Sequence, residues 1–152
     1  MRDKPLYKKD KLIWKWLKGS TTSSNDLGDP LSTTDYELCV FDQIGGVDAL
    51  VLKHLIPAGN AAKWMSFKHG FKYKDPTLSN DGILSLYLRD GLDGRARIVV
   101  KGKGEGLSMT PLPMAQDAAV TVQMSNGIRC WEARYSTYIK SDDVQFKSKA
   151  DP

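Results

Sequence analysis

Histidine and cysteine are scarce in this sequence, and neither occurs in a motif typical of catalysis or metal binding. The 152 residues include two histidines, His54 and His69, and two cysteines, Cys39 and Cys130. No Cys-x-x-Cys or His-x-x-x-His spacing is present, which argues against a zinc site. No Gly-x-Ser-x-Gly elbow marks a serine hydrolase, and neither cysteine has the sequence context of a thiol enzyme. The sequence alone therefore specifies no reaction.

Long apolar runs and helical stripes are also missing. No apolar run approaches the roughly 20 residues that a helix needs to span a bilayer. The first residues, Met1 to Pro5, have no apolar h-region of a signal peptide, so we expect either a cytosolic protein or one whose leader is absent. No stretch of ten or more residues has a clean helical period, and we expect at most one helical turn, within residues 57–65.

What the sequence has in abundance is alternation of apolar and polar residues, which is typical of β-strands with one wet face. In residues 82–89, for example, Leu84, Leu86 and Leu88 alternate with Ser85, Tyr87 and Arg89. Hairpin signals separate such segments at residues 90–94 and at the Asn126-Gly127 pair. The predicted strands are 11–17, 34–42, 48–56, 62–67, 71–74, 82–89, 95–101, 119–125, 128–135 and 143–147.

The length suits one domain, and the 41% hydrophobic and 26% charged residues are ordinary for a globular protein. Nine or ten short strands joined by hairpins predict an all-β fold, an antiparallel two-sheet β-sandwich of jelly-roll or immunoglobulin-like type, formed by a single domain over residues 1–152. Each cysteine lies in a predicted strand. A Cys39–Cys130 bridge across the core is therefore expected in an oxidising compartment, and two buried thiols are the alternative.

The charge of the chain is mildly basic, with a formal net charge of +4. The basic residues form three clusters, which are Lys8, Lys9, Lys11, Lys15 and Lys18, then Lys68, Lys72 and Lys74, then Arg95, Arg97, Lys101 and Lys103. Lysines in strands are commonly a solvated face or the guard of a sheet edge, and a binding patch is the alternative. A nucleic-acid partner rests on this charge alone and is the weakest of the partner hypotheses.

Calcium is the cofactor that the sequence allows, because it needs only clustered oxygen ligands. The candidate ligands are two aspartate pairs, Asp26 with Asp29 and Asp90 with Asp93, each within one predicted loop. Neither pair has EF-hand spacing. Aspartate is also the residue that tight turns use for their own hydrogen bonds, and this local role is the alternative for all four.

The aromatic residues suggest a binding surface. Trp14 and Trp16 lie on one side of the first predicted strand, and Tyr87 lies on the polar side of its strand. Exposed rings offer flat apolar platforms for sugars, whereas buried tryptophans fill a core. Tyr87 is the best candidate for an exposed ring. His54 is expected on an apolar face with its hydrogen bonds satisfied, and His69 in an exposed turn.

A set of segments stands out over most of the chain, at residues 29–31 with 35–42, 70–75, 81–104, 130–135 and 146–149. Together, and in this order, they resemble a functionally uncharacterised domain that recurs in predicted secreted and surface proteins of environmental bacteria. The resemblance implies an extracytoplasmic bacterial β-domain. It implies no functional residue.

Two functional hypotheses follow. The first is a non-catalytic binding or structural module of an extracytoplasmic protein, which binds a glycan or an anionic surface polymer through its basic, aromatic surface. The second is a small, calcium-dependent hydrolase of esters or lactones, in which a metal ion activates water. The ligand, the strand order and the oligomeric state are left open by the sequence.

Overall fold

The computed structural model describes residues 1–4 and 9–152, so Lys8 of the first basic cluster lies outside the described residues. Within them, the chain forms eleven strands and one short helix, α1 (Ser24–Leu27). The strands are β1 (Lys11–Gly19), β2 (Tyr36–Ile44), β3 (Val47–Ile56), β4 (Trp64–Phe67), β5 (Gly70–Lys74), β6 (Ile83–Arg89), β7 (Ala96–Lys103), β8 (Val120–Ser125), β9 (Cys130–Tyr135), β10 (Lys140–Ser141) and β11 (Phe146–Lys147). The predicted all-β fold is confirmed.

The strands form two large antiparallel sheets that pack against each other as a β-sandwich. Sheet I has the order β1-β7-β6-β5-β4, and sheet II has the order β3-β2-β8-β9. A separate two-stranded ribbon joins β10 to β11, and β10 is the strand that the sequence did not predict. Among the described residues, no helix has the length and apolar character that crossing a bilayer requires.

The core lies between the two sheets and is built from the inward positions of alternating strands. Leu86 and Ile98 of sheet I and Leu38 of sheet II are fully buried. Tyr36 of sheet II links the sheets, because its ring centroid lies 6.0 Å from that of Trp64 in sheet I. Burial of each large apolar side chain contributes about 1.5–3 kcal/mol, so the paired inner faces are the main source of stability.

The one helix of the described residues does not lie in the segment where the sequence predicts a helical turn. Residues 57–65 contain no helix, and the one helix in the described chain is α1. The N-terminus of α1 has a capping box, in which the Ser23 side chain accepts from the Asp26 N–H and the Asp26 carboxylate accepts from the Ser23 N–H. This local pairing stabilises a four-residue helix that has no apolar stripe to reveal it.

The expected disulfide is excluded by the sheet topology. Cys39 lies on β2 and Cys130 on β9, and both are free thiols. Their side chains lie on the outer face of sheet II, and β8 lies between the two strands. Two strand spacings separate the backbones by about 10 Å, beyond the reach of a disulfide. Burial, aided by Glu37, raises the pKa of Cys39 to about 11, so this thiol is a poor nucleophile.

A buried carboxylate, Asp75, holds the connection between β5 and β6. Its Oδ2 accepts from the Ser79 N–H at 2.9 Å and from the Lys63 ammonium at 2.9 Å, while Oδ1 accepts from Thr77. Burial by itself raises the pKa of Asp75, but the hydrogen bonds from Thr77, Lys63 and Ser79 outweigh burial and hold that pKa well below 3.8. The carboxylate is therefore charged at neutral pH and organises the turn.

Candidate functional site

Sheet I presents one surface to solvent, and the alternation of its strands decides which residues stand there. In β1, Lys11, Ile13 and Lys15 are exposed, whereas Leu12 and Trp14 are buried. The same alternation holds along β7, where the Arg and Lys positions are exposed and the intervening positions are buried. Period-two patterning therefore sorts the basic residues of these strands onto the outer face.

We call this surface the cationic face, because its outward positions carry eight Lys or Arg residues and no Asp or Glu. The cations are Lys11, Lys15, Lys72, Lys74, Arg89, Arg97, Lys101 and Lys103. The other outward positions are Ile13, Leu17, Met65, Phe67, Gly70, Ser85, Tyr87 and Val99. The whole chain has a formal net charge of only +4, so the topology concentrates positive charge on one side of the protein.

The eight cations of the cationic face take no part in the ion pairs of the described residues. Elsewhere in the chain cations do pair, as in Lys53 with Glu37 at 2.7 Å and Lys63 with Asp75 at 2.9 Å. The positive charge of the cationic face is therefore not neutralised by salt bridges within the described chain.

Two pairs of like charges stand directly opposite each other on this face. Arg89 of β6 is in register with Arg97 of β7, and Lys11 of β1 is in register with Lys103 of β7. Like charges at opposed positions of an antiparallel pair destabilise a sheet by about 0.2–1 kcal/mol. An acidic residue at one position of each pair would stabilise the sheet. A surface that opposes local stability in this way is typical of a functional site.

A shallow depression of about 420 Å³ lies near the centre of the cationic face. Four residues of β6 line it, which are Leu84, Ser85, Leu86 and Tyr87. The lining residues on the flanking strands are Lys72 and Lys74 on β5 and Val99 and Lys101 on β7. The depression thus combines an aromatic ring and two hydroxyl groups with three ammonium groups.

The Tyr87 ring is fixed by a second aromatic ring. Phe67 of β4 stacks on it, with ring centroids 5.3 Å apart and an interplanar angle of 12°. Gly70 of β5 is the register partner of Phe67, and a Cβ at Gly70 would lie 2.0 Å from the Leu88 carbonyl oxygen, so the close approach of β5 to β6 here requires a glycine. Tyr87 lines the depression and Phe67 does not, so the part of the Tyr87 ring that Phe67 leaves uncovered borders the depression.

The outer face of sheet II has a different character, and we call it the mixed face. Its charged positions are Glu37, Asp48, Lys53, Glu132 and Arg134. Lys53 pairs with Glu37, and the Gln123 amide donates to the Glu132 carboxylate at 2.7 Å. The Lys53 hydrogen bond lowers the pKa of Glu37. This face therefore carries charges of both signs, and Lys53 and Glu37 neutralise each other.

The first pair of predicted calcium ligands is engaged in local hydrogen bonds. The Asp26 carboxylate caps α1 through Ser23 and lies 3.2 Å from the Arg129 guanidinium. The Ser23 backbone N–H is the main cause of a lowered pKa at Asp26. The Asp29 carboxylate accepts from the Leu31 N–H at 3.1 Å. These are the turn and cap roles that aspartate commonly has.

The second pair lies at the connection between β6 and β7. The Asp90 carboxylate is 3.3 Å from Nδ1 of His69, which is half exposed in its turn as predicted, and Asp93 is exposed in the loop. Across residues 1–4 and 9–152, no group of three or more His, Cys, Asp or Glu side chains is arranged to hold a metal ion. Calcium binding stays a prediction.

The predicted platform residues divide between two places. Trp14 faces the core and is 4% exposed. Trp16 is half buried, and its indole N–H donates to the Glu132 carbonyl at 3.1 Å across the gap between β1 and β9. Both line a groove of about 1090 Å³ between these two edge strands. Neither tryptophan shares a surface with Tyr87, which is half buried and lies on the cationic face.

His54 lies on the inner side of β3 and is fully buried. The expected hydrogen bonds are absent, because neither ring nitrogen has a partner among the described residues; the nearest carboxylate, that of Asp81, is 3.9 Å from Nδ1. Burial lowers the pKa of His54, and Asp81 only partly opposes it. Leu50 lies on the opposite side from His54, because a bulge at Val51 shifts the register.

Seven of the eight cations belong to the basic clusters of the sequence, but nothing in the sequence joins those clusters. Arg89 was predicted on the polar side of its strand but not assigned to a cluster, and Phe67 was not identified. The sequence does contain a sign that these lysines share a face. Lys72 and Lys74 are two residues apart, as are Lys101 and Lys103, and residues two apart in a strand lie on the same side. What the sequence did not contain is the neighbour relation of β1, β7, β6 and β5, which brings the clusters together.

No protein-family model, curated protein or solved structure matches this chain. The function is therefore argued from the cationic face itself.

Proposed function

We propose that this protein is a non-catalytic binding module whose cationic face binds a linear anionic polymer. The observation that carries the proposal is the charge of this face, which has eight Lys or Arg and no Asp or Glu at its outward strand positions. Charge complementarity selects the partner, since a row of negative groups would meet cations without an ion pair on four neighbouring strands, β1, β7, β6 and β5.

The dimensions of the face suit a polymer rather than a single small anion. Five strands with a spacing of about 4.8 Å make a surface about 19 Å wide, and cations occur on four of the five strands. A polyanion that spans such a surface releases several condensed counterions at once, which makes its binding strong at low salt and weak at high salt.

The like-charged pairs support the same proposal. Arg89 with Arg97 and Lys11 with Lys103 repel each other in the free protein. A bound polyanion relieves this repulsion, so binding stabilises the sheet as well as the complex. An acidic glycan or another anionic polymer outside the cell agrees with the extracytoplasmic location that the resemblance implies, and both stay proposals.

The test compares neutralisation of the two faces. The probe is poly-L-glutamate, a polymer that offers carboxylates and no ring. The double variant Lys72→Gln, Lys101→Gln removes two cations from the cationic face, and Lys53→Gln, Arg134→Gln removes two from the mixed face. At about 1 kcal/mol for each cation, the first variant should weaken binding roughly 30-fold. The control should change it less than about twofold, because its cations are far from the polymer.

The salt dependence provides a second measurement. The slope of log K against log salt should become shallower with each lysine removed from the cationic face, and should not change in the control. Equal losses in the two double variants, or no binding of poly-L-glutamate by the unchanged protein at low salt, would overturn the proposal.

The hydrolase hypothesis has less support. The buried His54 imidazole is closed off from solvent, and the described residues present no formed metal cluster. Half-exposed His69, with Asp90 beside it, is the one imidazole with access to a substrate. Hydrolysis of esters or lactones stays a prediction.

A further inference from the structure

The depression on the cationic face contains a group, the Tyr87 ring, that electrostatic attraction of a polyanion does not require. Lysines alone would bind a polyanion, yet the depression also has an aromatic ring, the Tyr87 ring, held in place by Phe67 at 5.3 Å. A ring that is already packed loses little freedom when a ligand stacks on it. The open side of Tyr87 is therefore a preorganised apolar surface beside three ammonium groups.

The arrangement of the lysines brackets this ring. Lys72 and Lys74 stand on β5, and Lys101 stands on β7, with Tyr87 and Ser85 on β6 between them. The backbones of β5 and β7 are about 10 Å apart. Flexible ammonium groups therefore approach a bound ring from both edges, with Tyr87 and Ser85 on the strand between them.

Nucleobases are read differently. A base edge that pairs a donor with an acceptor, as adenine does, is read by Asn or Gln side chains, and neither residue lines the depression among the described residues. Modules for single-stranded nucleic acid stack successive bases on successive rings. Here Phe67 is stacked on Tyr87, and the depression has one ring.

We propose that the depression is a subsite for one pyranose unit of an acidic polysaccharide, and this rests on the proposed function. A pyranose has an apolar face of C–H groups and a rim of hydroxyl groups. Its apolar face would pack on the open side of Tyr87, its hydroxyl groups would bond to Ser85 and Tyr87, and its carboxylate would meet Lys72, Lys74 or Lys101. The lysines supply affinity for charge, and Tyr87 supplies preference for a sugar.

The experiment measures binding of three polymers, polygalacturonate, poly-L-glutamate and oligo-dT, to the unchanged protein and to Tyr87→Ala. Polygalacturonate has carboxylates and pyranose rings, poly-L-glutamate has carboxylates only, and oligo-dT has phosphates and bases. We expect Tyr87→Ala to weaken polygalacturonate binding about tenfold, within the range that loss of one stacking ring produces. Binding of the other two polymers should change less than about twofold.

Two variants serve as controls. Tyr87→Phe retains the ring and should retain most of the affinity for polygalacturonate. Tyr138→Ala removes a tyrosine that is 61% exposed outside the large sheets and should leave all three affinities unchanged. Thermal melts followed by circular dichroism confirm that each variant is folded.

The outcomes separate this proposal from the previous one. A Tyr87→Ala protein that binds polygalacturonate as well as the unchanged protein does, or loses affinity for poly-L-glutamate to the same extent, overturns the sugar subsite and leaves polyanion binding intact. If Tyr87→Ala weakens the binding of oligo-dT alone, the depression is a site for nucleic acid, and the sugar subsite is overturned as well. Insensitivity of all polymers to Lys72→Gln, Lys101→Gln overturns the proposed function itself.

Discussion

The two outer faces of the sandwich are made by the same alternation of strand residues, yet they differ in charge. The cationic face has eight positive side chains and opposes Arg89 to Arg97, whereas the mixed face pairs Lys53 with Glu37. Folding explains the mixed face, because opposite charges near each other on a sheet stabilise it. Folding does not explain the cationic face, whose charges repel. This difference supports the proposal that the cationic face binds a partner.

The largest expected change is a loss of stability when Asp75, which anchors the turn between two strands of the cationic face, is substituted. Asp75 is buried, binds Thr77, Ser79 and Lys63, and closes the turn that follows β5. The substitution Asp75→Asn directs an amide N–H₂ at these donors and should destabilise the protein by about 2–3 kcal/mol at pH 7. Urea unfolding measures the loss. Binding of poly-L-glutamate by the folded fraction should stay within about twofold, since Asp75 is not on the face.

The pH dependence of this effect has a fixed sign. The pKa of Asp75 is held below 3.8, so its carboxylate contributes stability that is fully present above pH 3.8 and is lost as the pH falls through the lower, folded value. The gap in unfolding free energy between the unchanged protein and Asp75→Asn should therefore narrow below pH 4. A constant gap between pH 7 and pH 2.5 would show that Asp75 acts without its charge.

The next prediction is that replacing a basic residue with glutamate changes the stability of the protein in opposite directions on the two faces. Arg97→Glu places a carboxylate opposite Arg89 and should stabilise the protein by about 0.5–1 kcal/mol at low salt, while weakening poly-L-glutamate binding. The same kind of change on the mixed face, Lys53→Glu, places two carboxylates together and should destabilise the protein. Both effects should shrink in about 1 M salt, where charges are screened. If Arg97→Glu and Lys53→Glu change the stability in the same direction, the difference in charge between the two faces does not act as described.

The smallest effect concerns one carboxylate of the mixed face. The Lys53 hydrogen bond is the first cause of the lowered pKa of Glu37. In Lys53→Gln the pKa of Glu37 should rise toward 4.5, which an NMR titration of the side-chain carboxyl would measure. If the pKa of Glu37 does not change, neighbours other than Lys53 stabilise its carboxylate.

The sequence predicted the elements of this protein better than their arrangement. The ten predicted strands are present, because alternation and hairpin signals are local properties. The short helix α1 was missed because it depends on a capping box and not on an apolar stripe. Strict alternation along β3 predicts Leu50 on the same side as His54, and the extra residue Val51 at the bulge puts the two on opposite sides.

The site was predicted only in pieces, for a related reason. Tyr87 was identified as an outward ring, since alternation within one strand decides that. The cationic face depends on the strand order β1-β7-β6-β5, in which residues nearly 90 positions apart become neighbours. The wrong expectation for Cys39 and Cys130 has the same origin, because strand order decides whether two strands face each other or share a sheet.

The placement of the tryptophans gives this protein a useful optical property. All four of them, Trp14, Trp16, Trp64 and Trp131, belong to the inner sides of the strands or to the gap between β1 and β9, and none stands on the cationic face. Their emission therefore reports on the packing of the two sheets and is expected to be insensitive to a ligand bound outside. Tyrosine absorbance, through Tyr87, would respond to that ligand. One sample thus offers separate spectroscopic signals for unfolding and for occupancy.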